Sequence, residues 1–191
     1  QCPKGLNKET VAPSAVPFSP MLATTFGTPR ALEESEILDV IQRFAESARI
    51  CEKAGFEGVQ LHGAHGYLIS QFLSPLTNQR QDQWGGSIEN RMRFLLEIYK
   101  AVRAKTSRKF IISVKLNSAD FQRGGITEDE VVAVFKAIDE AGIDLIEISG
   151  GTYEAPAMAG AKADKRKKVP LPVKLIFSIL LKKSVKKSNV S

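Results

Sequence analysis

The sequence predicts an α/β fold in which a parallel sheet forms part of a (β/α)8, or TIM, barrel, and three observations carry that expectation. Short strand-like runs alternate with amphipathic stretches in the order strand, helix, strand, helix, strand, which calls for parallel pairing through right-handed crossovers. Each strand run carries apolar side chains on one face and polar ones on the other. A doubly wound sheet buries both faces in apolar contacts, whereas a barrel tolerates polar groups near its mouth, where catalytic side chains sit. Third, the 191 residues fall short of the roughly 250 that such a barrel uses, so the chain is expected to hold only part of one.

The elements follow in order. The stretch to about Arg30, with Pro3, Pro13, Pro17, Pro20 and Pro29, reads as irregular connection. From Glu33 to Ala54, apolar residues including Ile37, Val40, Ile41, Phe44, Ala48 and Cys51 recur at three- and four-residue intervals, and Gly55 is a helix stop. Gly58 to His62 reads as a strand, Ser87 caps a helix running to about Lys105, and Phe110 to Leu116 is a second strand. Thr127 caps a helix with Glu130 at the capping-box position, Gly142 ends it, and Asp144 to Ser149 is a third strand. Because successive strand side chains point to opposite faces, Val59, Leu61, Ile112, Val114, Leu116, Ile146 and Ile148 should pack against helices. Gln60, His62, Ser113, Lys115, Glu147 and Ser149 should turn toward one shared interior.

Composition is that of an ordinary globular domain, and the net charge of +6 is unevenly placed. Ten cations, from Lys162 to Lys187, crowd residues 162–191 against the single acid Asp164. That tail lacks the interleaved aromatics of a nucleic-acid groove, so no specific nucleic-acid partner is expected. Val169 to Leu181 is interrupted by Pro170, Pro172 and Lys174, too broken to span a bilayer. Cys2 and Cys51 lack the spacing of a zinc site or disulfide framework, which fits a cytoplasmic address.

Chemistry concentrates in His62-Gly63-Ala64-His65-Gly66-Tyr67, directly after a strand, with both histidines of the chain. Glycines at 63 and 66 let the backbone turn so that the imidazoles converge and Tyr67 projects beside them. Two N–H groups aimed at one oxygen stabilise negative charge there, and a phenol can deliver a proton, a set suited to reducing a double bond conjugated to a carbonyl. Two histidines three apart can also share a metal, although no helical Glu or third ligand follows. Lys115 ends an interior-facing pattern where an unpaired ammonium is costly. It needs either an anion, such as the N1 and C2-carbonyl side of a reduced flavin, or Glu147 on the next strand.

Gly55–Pro75 (GFEGVQLHGAHGYLISQFLSP), Trp84–Arg91 (WGGSIENR), Val114–Phe121 (VKLNSADF) and Glu147–Glu154 (EISGGTYE) resemble the NADH:flavin oxidoreductases of the Old Yellow Enzyme family, from Gln1 to about Lys165. The resemblance implies a barrel of which this chain holds roughly the central strands, with FMN reduced by NADH or NADPH and hydride passed to an activated alkene. By the same resemblance His62 and His65 hold the substrate carbonyl, Tyr67 is the proton donor, and Lys115 lies against the flavin, with His62 also touching it. Asn78, Arg80 and Asp82 match the family's loop string, with Gln81 where threonine is usual and Trp84 where tyrosine is common. Three barrel strands should precede Gln1, and two should follow Tyr153 with the phosphate anchor. The competing expectation is therefore a catalytically inactive fragment that binds no flavin.

Residues 1–161 are thus expected to be a partial flavin oxidoreductase barrel and residues 162–191 a basic tail, out of frame or disordered. Read one base upstream from the Lys168–Val169 junction, codon degeneracy lets Val169–Phe177 encode STIAREAYF and Ser178–Val185 encode LDFAEKIR. That string has apolar residues at helical spacing.

Overall fold

The computed structural model describes residues 4–5, 9–152 and 154. The basic tail, the 161/162 boundary and the frame expectation at Lys168 lie outside these residues. Two two-residue strands, β1 (Val11–Ala12) and β2 (Arg30–Ala31), pair in parallel, and Leu22–Thr24 form one 3-10 turn between them. The opening stretch is thus not wholly irregular. Its proline spacing hides a pairing that is set across 19 residues (Val11 to Arg30) rather than by local pattern.

Helix α1 (Glu34–Lys53) follows, entered through the Glu33 amide donating to the Glu36 carboxylate at 2.8 Å and left through Gly55 at φ 91°. Strand β3 (Gly58–Gly63), helix α3 (Ile88–Lys105), strand β4 (Ile111–Asn117), helix α4 (Glu128–Ala141) and strand β5 (Leu145–Ser149) realise the expected order. One six-residue helix, α2 (Leu68–Leu73), intervenes after β3 and was not anticipated. Its Leu-Ile-Ser-Gln-Phe-Leu run is too short to display a helical period of its own. Ser87 occupies the N-cap of α3 without a side-chain cap bond. Thr127 Oγ1 does accept from the Glu130 amide at 3.3 Å, and Glu130 returns the bond to the Thr127 amide at 2.9 Å.

The three main strands are parallel in the order β3-β4-β5, and the described sheet is part of a (β/α)8 barrel. Its outer face carries Leu61, Ile112, Val114 and Leu116, all buried, against Phe94, Leu95, Ile98 and Val102 of α3 and Val131, Val134 and Ile138 of α4. Phe72 of α2 stacks on Phe94 with ring centroids 4.1 Å apart. Arg91, buried beneath this layer, donates to the Leu73 and Gly86 carbonyls and pairs with Glu130, so one guanidinium ties α2, α3 and the first turn of α4 together.

The loop from Ser74 to Ser87 is fastened the same way. Asn78 Nδ2 donates to the Phe72 and Trp84 carbonyls at 2.7 and 2.8 Å. Arg80 pairs with Asp82 at 2.6 Å and donates to the carbonyls of Pro13 and Leu32, pinning the opening segment to the barrel. The roles of Asn78, Arg80 and Asp82 in this structure are therefore structural ties.

Candidate active site

Parallel register decides what meets on the inner face. His62 stands opposite Lys115, and Lys115 opposite Glu147, so one residue from each of three strands forms a continuous polar row. Gln60 and Ser113 form the row toward the strands' N-terminal ends, and Asn117 and Ser149 the row toward the C-terminal ends. Asn117 was missed in the sequence, although the alternation of Ser113 and Lys115 extended by two residues would have found it.

At the C-terminal ends the chain turns so that three rings converge. The His62 ring lies 5.1 Å from His65 and 5.0 Å from Tyr67, centroid to centroid. His65 has φ 61° and Gly66 has φ 76°; a left-handed non-glycine residue is uncommon, and such strain gathers at functional sites. The strain is held by three bonds: the His65 amide donates to Asn117 Oδ1 at 3.3 Å, Asn117 Nδ2 donates to the Gly151 carbonyl at 2.9 Å, and His65 Nε2 lies 2.7 Å from Ser149 Oγ. Ser149 thus engages one of the two nitrogens of the His65 ring. Gly63, by contrast, is not a turn residue. It is the last residue of β3, and a Cβ there would come within 2.8 Å of Leu116 Cδ2 and 3.0 Å of the Lys115 carbonyl oxygen, so its glycine is needed for close strand approach.

Both alternatives left open for Lys115 bear on this row. In the structure its Nζ pairs with Glu147 Oε1 at 2.9 Å, and Gln60 Nε2 donates to Glu147 Oε2 at 2.9 Å. Glu147 is held below the ordinary carboxylate range, first by Lys115 and then by Gln60. Burial lowers both imidazoles from the usual histidine value; for His62 the charge on His65 adds to this, and for both Lys115 does, while Glu147 opposes the shift. The histidines are therefore neutral near pH 7 and each keeps one N–H to donate.

Two imidazoles, an ammonium and a phenol thus gather at the C-terminal ends of parallel strands, where barrel enzymes place their catalytic groups, and such donors are chemically able to bind an oxygen anion and to deliver a proton. A model of the NADH:flavin oxidoreductase / NADH oxidase family matches residues 4–174, running past Lys165.

The chain belongs to that family.

Among its flavin oxidoreductase relatives, the NADH-dependent flavin oxidoreductase nadA of Aspergillus parasiticus is 43% identical over 81% of this chain and 35% of its own length. The NADPH dehydrogenase of Clostridium acetobutylicum is 43% identical over 81% of this chain and 44% of its own length. The 2-naphthoyl-CoA reductase complex with 2-naphthoyl-CoA superposes with a TM-score of 0.71 at 38% identity, over 78% of this chain and 22% of its own. The Old Yellow Enzyme homologue of Zymomonas mobilis gives 0.66 at 29% identity, over 78% and 46%. The chain thus spans less than half the length of each of these four proteins. The family is one of FMN oxidoreductases that draw on NADH or NADPH.

A cavity of about 350 Å³ lies between residues 12–19, α2 and Thr152 with Glu154. Of the ring-bearing turn only Gly66 lines it. None of His62, His65, Tyr67, Lys115 and Glu147 lines it. No helix among the described residues is long and apolar enough to cross a membrane.

Proposed function

We propose that this chain carries the substrate-activating part of an FMN-dependent ene-reductase, acting on a small activated alkene. The observation that supports it is the convergence of the His65 and Tyr67 rings on His62, at 5.1 and 5.0 Å between centroids, with His62 in register with Lys115. His62 and His65 each donate an N–H to the carbonyl oxygen of the alkene, drawing electron density from its β-carbon. Tyr67 donates the proton to the α-carbon. Gln60, His62 and Lys115, set along adjacent strands, fit the polar N1 and C2-carbonyl edge of a flavin ring and would hold it there. Bound FMN would supply the hydride transfer, from NADH or NADPH to the β-carbon. The cysteine usage supports a cytoplasmic address.

The second reading, an inactive fragment without flavin, draws on the three-stranded sheet found among the described residues. Visible absorbance of the purified chain separates the two, because bound oxidised flavin is yellow. In a complete barrel carrying these residues, Tyr67→Phe should slow alkene reduction by about 10²- to 10⁴-fold while leaving flavin reduction by the nicotinamide unchanged. Loss of the nicotinamide half-reaction instead would remove the proton-donor role.

A further inference from the structure

Glu147 has no role in the proposed reaction, yet it closes the polar row at its β5 end. Both of its oxygens are engaged, Oε1 by the Lys115 ammonium and Oε2 by the Gln60 amide, each at 2.9 Å. Because Gln60 is on β3 and Glu147 on β5, the carboxylate reaches across β4 to an amide two strands away and encloses the lysine as it does so. Building on the flavin reading, we propose that Glu147 is a positioning residue: it holds the Lys115 side chain against the inner face and offsets its charge. It thereby sets how strongly the site favours the electron-rich form of a bound flavin ring.

The physics is that of one charge beside another at close range. An ammonium near the N1 edge of the ring stabilises negative charge there, and a carboxylate 2.9 Å from the same ammonium cancels part of that field. A reduced cofactor stabilised less is a stronger hydride donor, so the pair favours delivery of hydride to the alkene over retention of it. Among the described residues, the surroundings add no second acid. The titratable groups facing Lys115 are His62 at the end of β3, His65 in the following turn and Glu147 on β5. Removing the carboxylate charge therefore leaves the site with an unopposed cation.

Two measurements test this. In the flavin-free chain, Glu147→Gln keeps the side chain's shape and its amide partner but removes the charge, so the His62 ring resonances should titrate at lower pH than in the unaltered chain. In a complete FMN-loaded barrel carrying these residues, the same substitution should move the flavin midpoint potential upward, as a roughly tenfold rise in preference for reduced over oxidised flavin. In a Lys115→Met background the substitution should produce a smaller upward shift, since only the direct field of the carboxylate is then removed and its hold on the lysine is already gone. A yellow, FMN-loaded barrel whose potential is unmoved by Glu147→Gln, or moves equally without Lys115, overturns the inference and leaves the flavin reading standing. A complete barrel that takes up no FMN overturns both.

Discussion

The two faces of the β3–β4–β5 sheet contrast within a few ångströms of each other. On the outer face Ile112, Val114 and Leu116 are sealed beneath α3 and α4, and nothing there depends on more than apolar shape. On the inner face of the same strands Ser113, Lys115 and Asn117 make directional bonds to β3, β5 and the turn after β5. Further down that face, Ile111 and Leu145 are 48% and 60% exposed at the strands' N-terminal ends, where a closed barrel fills its interior with layers of side chains. The outer face holds the fold, and the inner face carries the candidate site at one end and two exposed apolar side chains at the other. The same alternation of side chains thus serves two separable purposes, and substitutions on one face should leave the other's property largely alone.

The largest effect should come from the layer over the outer face. Phe94→Ala removes a fully buried ring that stacks on Phe72 and should cost about 3–5 kcal/mol of stability, read as a lowered urea midpoint. Arg91→Ala comes next at about 3 kcal/mol, because it deprives Glu130 and two carbonyls of a buried partner. An Arg91→Ala protein as stable as its parent would show that the three-helix tie is dispensable. On the inner face, His62→Ala or His65→Ala should change stability by less than about 1 kcal/mol, yet weaken binding of a phenolic or carbonyl ligand in a complete barrel. If either substitution unfolds the protein, the separation of faces fails.

The smallest effect is a pH dependence that belongs to the inner face alone. His62 and His65 are depressed below their usual 6.5, so as pH falls the unfolded chain takes up protons before the folded one. Their contribution is present above pH 6.5 and is lost as pH drops through their lowered values. Denaturation midpoints measured from pH 8 down to pH 5 should decline through this window, and a His62→Gln, His65→Gln double variant should flatten the slope. Phe94→Ala should lower the whole curve without changing its shape.

Much of this was legible in the sequence because it is local. A two-residue period assigned Leu61 and His62 to opposite faces, and Thr127 with Glu130 marked the start of α4 before any neighbour was known. The resemblance of the His62–Tyr67 turn to a flavoprotein family pointed to the family whose model matches the chain. Helix α2 escaped because six residues are fewer than two helical turns, and the β1–β2 pairing escaped because neither two-residue strand has a period at all.

By itself, then, the sequence determined the order of elements, the sidedness of each strand and the chemical types available at the strand ends, since these follow from spacing along the chain. Tertiary structure alone decided which partners those groups found. Lys115 met Glu147 rather than standing alone because the β4–β5 register sets them side by side. His65 entered the left-handed region because Asn117 and Ser149, from two other strands, hold its backbone and its ring. Arg91 reached Glu130 across 39 residues. Register and crossover geometry arise from packing over long sequence separations, and no local pattern in the chain encodes them.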